Sequence, residues 1–315
     1  MASYGAASLL GLEMALAGEK GAGIRLHIQD NSFAPAHAVS ALKMFVSTKN
    51  IRAVVVLGSP SSAAVIPIAE QLGVPVFAWT SAEKLTQGRN EVRLMTSSEL
   101  QGRTLSEVAK LKGYSNVALL TYENEGAISS RDRFMAHFGK VHVAFSEDVS
   151  PEVDDFRSLL LRARGKAPDA VGLYLMPNQA ATVIDQSFPV IKSREFFGYH
   201  SLSHPAVLNA LARADSIGWF VEGRISATFE NAFSKRSADT SGIWCAAGFH
   251  DVARLIMENR NLFKSPRVLA QGLAGKCVKG SAFTRSCVTS SNGDTFLDVP
   301  VGVTEMRSGK FVRQY

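Results

Sequence analysis

Two short stretches carry the hydroxyls and glycine best suited to holding a small anion. In Gly58-Ser59-Pro60-Ser61-Ser62 an apolar run stops at glycine, and Ser61 and Ser62 stand where a helix would open. The first N–H groups of a helix have no partner within it, and its dipole places partial positive charge there. Hydroxyls and amides at such a point favour an anion, a carboxylate included. The same serines would equally serve as a plain helix cap. Trp79-Thr80-Ser81-Ala82 repeats the arrangement at the end of the next apolar run. It too sets hydroxyls at the carboxyl end of a strand, where open α/β sheets bind ligands. Turn residues bonding their own backbone would look the same.

Other chemistry is sparse. The glycine-rich Gly18–Gly23 precedes a strand pattern, whereas a dinucleotide loop follows one, so it reads as a helix stop and turn. No phosphate loop, zinc-protease motif or nucleophile elbow occurs. His200 and His204 lack the further ligands of a metal shell, and no metal or cofactor is expected. Cys245 lies in an apolar run and reads as a buried thiol. Cys277 and Cys287 either pair in an oxidising compartment, with about 3 kcal/mol from loop closure, or stay reduced. Thirty-four Lys and Arg against 28 Asp and Glu leave a net charge of +6. The excess is dispersed, with no run of five basic residues, and no nucleic-acid partner is expected. Apolar runs stop short of the roughly 18 residues that cross a bilayer. Met1-Ala2-Ser3-Tyr4-Gly5 lacks the basic-then-apolar pattern of a secretory leader, which fits a cytosolic chain or one whose leader has been removed.

The elements that must position these residues alternate along the chain. With 315 residues, 46% apolar and 20% charged, there is material for two ordinary domains. Helical spacing at 4–17 leads to an alternating strand at 24–29 and a helix at 36–46. The β-branched run 51–57 is followed by a helix at 63–72, a strand at 74–79 and a helix at 99–111. The pattern then restarts. Strands are expected at 117–121, 141–145, 170–175, 195–199 and 218–222. Helices are expected at 128–138, 153–164, 179–186, 205–212, 241–258 and 266–274, with short strands over 296–312. Such alternation predicts parallel sheets covered by helices on both faces. The restart near 115 predicts two doubly wound lobes.

The order of these segments resembles the solute-binding proteins of ABC transporters of the branched-chain amino-acid (leucine/isoleucine/valine-binding) family. The residues that carry the resemblance are Tyr4-Gly5 with Gly11–Ala15, then Ile28-Gln29-Asp30 with Ala38, Val39 and Ala41. Gly58-x-x-Ser61-Ser62 followed by Ala69–Pro75, Asp154-Asp155-Phe156, Pro168–Val171 and Gly309-Lys310-Phe311 complete it. The resemblance implies an α/β, type I periplasmic-binding fold whose two lobes close over a ligand by a hinge. Crossovers would fall near 113–116, 223–232 and 294–299. The lobes would be 1–114 plus 228–296 and 115–227 plus 297–315. The family's opening strand, which precedes its Tyr-Gly pair, has no counterpart here, so a missing first strand is expected.

The resemblance also implies a non-enzymatic, periplasmic or extracytoplasmic monomer without a cofactor. It would deliver a small-molecule ligand to the membrane permease of an ABC transporter. The ligand's carboxylate would meet Ser61, Ser62, Thr80 and Ser81, with Tyr4 beside it. The second lobe departs from the family pattern. Amino-acid binders carry a carboxylate where this chain has Gly198-Tyr199-His200, Glu125 stands where an aromatic residue precedes the glycine, and His250-Asp251-Val252 replaces Tyr-Asp-Ala. A desolvated ammonium without a counter-charge is costly. Either Glu125 meets it, or the ligand lacks one and His200 donates to a carbonyl or acidic group. The expected ligand is therefore an amino acid or another organic acid, and Trp79, Tyr199 and Phe249 suit an aromatic one. A regulatory relative of the same fold, with a degraded cleft, is the alternative.

Overall fold

The computed structural model describes residues 2–17, 23–88, 90–188, 190–264 and 269–314. In chain order the elements are α1 (Ala2–Leu16), α2 (Pro35–Lys49), β1 (Val54–Leu57), α3 (Ser59–Gln71), β2 (Val76–Trp79) and β3 (Glu91–Arg93). There follow α4 (Ser98–Leu111), β4 (Val117–Tyr122), α5 (Glu125–Phe138), β5 (Val143–Val149), α6 (Arg157–Arg164) and β6 (Ala170–Tyr174). Next come α7 (Pro177–Ser187), β7 (Glu195–Tyr199), α8 (Pro205–Arg213), β8 (Ile217–Gly223), α9 (Ala227–Ser234) and α10 (Ile243–Glu258). The chain closes with α11 (Leu269–Leu273), β9 (Cys287–Ser291), β10 (Asp294–Asp298), β11 (Val301–Arg307) and β12 (Lys310–Gln314).

The chain divides into two compact units, residues 1–96 with 223–300 and residues 97–222 with 301–315. The sheet of the first unit runs β1-β2-β3-β10-β9, parallel from β1 to β10, with β9 antiparallel on the edge. Strand side chains alternate between two helical layers, as the pleat requires. Val55, Leu57, Phe77 and Trp79 face the cluster built on α10, while Val54, Val56, Val76 and Ala78 face α2 and α3. Gly11 lets α1 lie against α10, since a Cβ there would stand 2.1 Å from the Ala246 carbonyl oxygen. Arg93 is completely buried and donates through Nε and Nη2 to Asp294 at 3.1 and 2.7 Å, tying β3 to β10.

The second unit's sheet is ordered β12-β11-β8-β7-β6-β4-β5, and β4 to β8 are parallel. Val117, Leu119, Tyr174, Phe197 and Trp219 pack with Leu105 of α4 and Phe134 of α5. Ala118, Leu120, Leu173 and Phe196 pack instead with Leu160, Ile184 and Leu211 from α6, α7 and α8. The closing hairpin turns on Ser308 and Gly309, both at positive φ, which glycine accepts without strain.

Several expectations move. The first change of unit falls at 96/97 rather than 114/115, because α4 packs on α5: a Cβ on Gly102 would meet the Phe134 nitrogen at 2.5 Å. The other two fall at 222/223 and 300/301 rather than 227/228 and 296/297. Residues 24–29 form no strand, and Leu26 and Ile28 turn outward, Ile28 being 61% exposed, while Ile24 is half-buried. An alternating pattern makes a strand only where a ladder partner receives it. β3, α9 and β9 were not expected from the pattern at all. The 18–22 part of the glycine-rich stretch and residues 266–268 of the helix expected at 266–274 lie outside the described residues.

Cys277 and Cys287 form a disulfide, and Cys245 is buried and unbridged. The bridged pair is flanked by the bonds Val278 N to Ser286 O and Val288 N to Lys276 O, at 2.9 and 2.8 Å. That makes it a non-hydrogen-bonded antiparallel pair, the position where opposite side chains come closest. Its Cα atoms are 3.9 Å apart.

Candidate functional site

At the carboxyl edge of the first sheet, β1 hands over to α3 through Gly58, whose φ of 100° and close Phe33 ring leave no room for a Cβ. The helix therefore opens at Ser59, earlier than its pattern shows, and Gly58 brings no side chain to cap it. Ser61 and Ser62 occupy the third and fourth helical positions, so neither is the N-cap, and both are fully buried. The Asn31 amide donates to Ser61 Oγ at 3.0 Å. Ser59 Oγ and Thr80 Oγ1 lie 2.9 Å apart, and Thr80 Oγ1 also accepts from the Ala82 N–H at 3.1 Å. Ser81 is buried alongside. The Ser62 hydroxyl, by contrast, has no hydrogen-bond partner among the described residues. A buried hydroxyl left this way costs about 1–3 kcal/mol, so its retention wants an explanation.

The structure thus gathers Ser61, Ser62, Thr80 and Ser81 where two strands end. Tyr4 lies in the aromatic layer built from Trp79, Trp244 and Phe249. Its ring stands edge-on to Trp244 at 5.5 Å, Trp244 lies 5.1 Å from Trp79, and Trp79 lies 5.7 Å from Phe249. Gly248 admits the Trp79 indole, which a Cβ there would meet at 2.0 Å. Sequence reasoning missed Ser59 and Asn31, because the Ser-Pro pair reads as a turn and Asn31 lies in an irregular segment.

In the second unit three neighbouring parallel strands, β4, β6 and β7, each end in tyrosine: Tyr122, Tyr174 and Tyr199. Register places Thr121 opposite Tyr174 and Tyr199 opposite Val221. The Tyr174 and Tyr199 rings are 6.0 Å apart, and His200 lies 4.9 Å beyond Tyr199. Tyr199 donates to the Leu175 carbonyl at 3.4 Å. Burial raises the pKa of all three tyrosines, helped at Tyr174 by Tyr199, at Tyr199 by Tyr122, and at Tyr122 by the Glu152 charge. Burial also pushes the half-buried His200 down to about 3, so its ring is neutral at physiological pH. Thr121 Oγ1, the Tyr174 hydroxyl and Ser201 Oγ are buried without a hydrogen-bond partner among the described residues.

Glu125 is not buried in this arrangement. It is exposed at the first position of α5, where a carboxylate suits the helix dipole, and Asn124 caps that helix by accepting from the Ala127 N–H at 2.9 Å. His204 caps α8 through Nδ1, at 3.2 Å from the Ala206 N–H. Asp251 is fully buried and fastens α10 to the following loop, accepting from Ala282 N at 2.7 Å and Ser281 Oγ at 2.5 Å, with His250 Nδ1 at 2.9 Å. Among the described residues no cluster of His, Cys, Asp and Glu could hold a metal ion, and no helix is long and apolar enough to cross a membrane.

Two doubly wound units, with a hydroxyl-rich strand edge in the first, define a class of two-lobed binding folds. A family model described as periplasmic binding protein matches residues 1–188, and the chain belongs to that family. A leucine-binding protein from Thermotoga maritima has the same fold, with a TM-score of 0.86 at 17% identity over 100% of this chain and 95% of that one. A branched-chain amino-acid transporter substrate-binding protein from Streptococcus pneumoniae, in complex with isoleucine, gives 0.84 at 21% identity over 99% and 94%. An ABC-transporter solute-binding protein from R. palustris, in complex with benzoate, gives 0.82 at 16% identity over 98% and 90%. No curated protein sequence matches the chain.

Proposed function

We propose that the protein is an extracytoplasmic solute-binding protein, a binder rather than an enzyme, that captures a small carboxylate-bearing molecule for the permease of an ABC transporter. The observation that carries this reading is the Ser62 hydroxyl, buried and unpartnered within the first turns of a helix that no side chain caps. A carboxylate oxygen would supply its missing acceptor, and Ser61, Thr80 and Ser81 stand at the same edge to accompany it. The solved relatives, one holding an amino acid and another benzoate, fit a carboxylate ligand. The Cys277–Cys287 disulfide fits an oxidising compartment.

Thermal melting of the full chain with leucine, isoleucine, benzoate and 4-hydroxybenzoate at millimolar concentration tests the reading. A ligand at roughly 100 times its Kd adds about 2.7 kcal/mol to stability, a rise of several degrees. At least one acid should produce that rise and lose it when Ser62 and Thr80 are replaced together by alanine and valine. A flat response across all four acids counts against the proposal.

A further inference from the structure

Asn31 links the turn before α2 to the serines near the start of α3. Its side chain accepts from the Phe33 N–H at 3.1 Å and lies 3.0 Å from Ser61 Oγ at its other end. A backbone N–H can only donate, so the Asn31 atom facing Phe33 is the oxygen and the group facing Ser61 is the NH2. That NH2 can only donate in turn, which makes Ser61 Oγ the acceptor. A hydroxyl has one proton, and the Ser61 proton is therefore directed away from Asn31. Among the described residues it meets no acceptor. Ser62, the next residue of the helix, has its hydroxyl unpartnered too, and both residues are fully buried. Two adjacent buried O–H donors without acceptors match an anion that takes both.

The turn that carries Asn31 holds this direction. Ser32 and Phe33 stand consecutively at φ 49° and 59°, in the left-handed region that residues with a Cβ enter at a cost, a bulky one most of all. Asp30 Oδ1 accepts from the Ser32 N–H at 2.8 Å, and the Asn31 carbonyl accepts from the Ala34 N–H at 2.8 Å. The Phe33 ring lies against Gly58, where a Cβ would stand 2.8 Å from Cζ. Strain persists only where the surroundings over-determine it. Here those contacts fix the Asn31 amide beside Ser61 at the point where α3 begins.

We infer that Asn31 is a positioning residue: by engaging Ser61 Oγ with a group that donates and cannot accept, it turns the Ser61 proton toward the carboxylate of the solute. This rests on the solute-binding role proposed above and adds to that site a residue that acts through Ser61.

Asn31→Asp tests the assignment, because it keeps the oxygen that the Phe33 N–H needs and replaces the obligatory donor by an acceptor. The new carboxylate would draw the Ser61 proton to itself and repel that of the solute. Titration calorimetry of the full chain, parent and variant, with leucine, isoleucine, benzoate and 4-hydroxybenzoate reads the effect on each acid that the parent binds. At pH 7 the variant should bind about tenfold more weakly or worse, while its ligand-free Tm holds, since the bond to Ser61 is reversed rather than lost. The ratio of variant to parent Kd should shrink as the pH is lowered toward about 4, where the new carboxyl takes up a proton and can donate again. All other titratable groups, Asp30 included, are shared by the two proteins and cancel in that ratio. A merely structural role for Asn31 would give a ratio with no such slope. Ser61→Ala removes the proton itself and should weaken the same acids about tenfold, whether or not the Asn31 variant folds. If Asn31→Asp binds within about threefold of the parent at pH 7, if the ratio is flat with pH, or if Ser61→Ala binds within about threefold of the parent, the inference falls and the solute-binding role stands. If none of the four acids binds the parent, both fall.

Discussion

Replacing Ser62 by alanine should move stability and binding in opposite directions. The hydroxyl is fully buried and has no partner among the described residues, so the ligand-free protein carries its desolvation without a compensating bond. Removing it relieves part of a penalty of about 1–3 kcal/mol at the cost of a very small void. The melting temperature of the ligand-free variant should therefore hold or rise, by about 2–4 °C for each kcal/mol gained. Binding should weaken, because a hydrogen bond to a charged acceptor contributes about 1.5–3 kcal/mol, which is roughly 10- to 150-fold in Kd. Thr80→Val is the contrasting change. Thr80 Oγ1 already bonds Ser59 Oγ and the Ala82 N–H, so its loss should destabilise the ligand-free protein by about 1–3 kcal/mol. Calorimetric melts without ligand, and titration with whichever acid raises the wild-type Tm, read both quantities. Ser62→Ala melting as early as Thr80→Val, or binding that acid with unchanged Kd, would refute the assignment of Ser62 to the ligand.

Other consequences can be read in the same instruments. Converting Cys277 and Cys287 to serine reopens a loop of sequence separation 10 and should remove about 2.5–3 kcal/mol, a fall of roughly 5–10 °C in Tm; an unchanged melt contradicts a stabilising bridge. Gly248→Ala drives a methyl into the Trp79 indole and should cost about 1–3 kcal/mol and shift tryptophan emission, and unchanged emission speaks against the close contact. His200 is held below its ordinary 6.5, so the unfolded chain binds its proton first and stability rises with pH across the window from about 3 to 6.5. His200→Gln should flatten that part of a stability–pH curve measured by denaturant titration, and a variant with the same slope as the parent removes His200 as its source.

Much of the architecture was legible because buried parallel strands announce themselves as short apolar runs. Val54–Leu57 and Val76–Trp79 did so, and their hydroxyl-bearing ends drew attention to Ser61, Ser62, Thr80 and Ser81. What escaped depends on partners distant in sequence. β3 is three residues, two of them charged, and becomes a strand because Arg93 pairs with Asp294 from the far end of the chain. α4 shows its helical spacing plainly, yet only its contact with α5 shows which unit it joins. The three tyrosines fall at irregular intervals and line up only once the order β7-β6-β4 is known. Residues 24–29 show the converse error, an alternating pattern with no neighbour to pair with.

The placement of β10 and β11 bears on when this protein can fold. Each unit borrows its last strands from beyond residue 290: β10 beside β3 in one, β11 beside β8 in the other. Neither sheet can close until nearly the whole polypeptide has been made, and contacts that span so many residues form slowly. A nascent chain of this design stays open through most of its synthesis, with both sheets waiting on the same late segment.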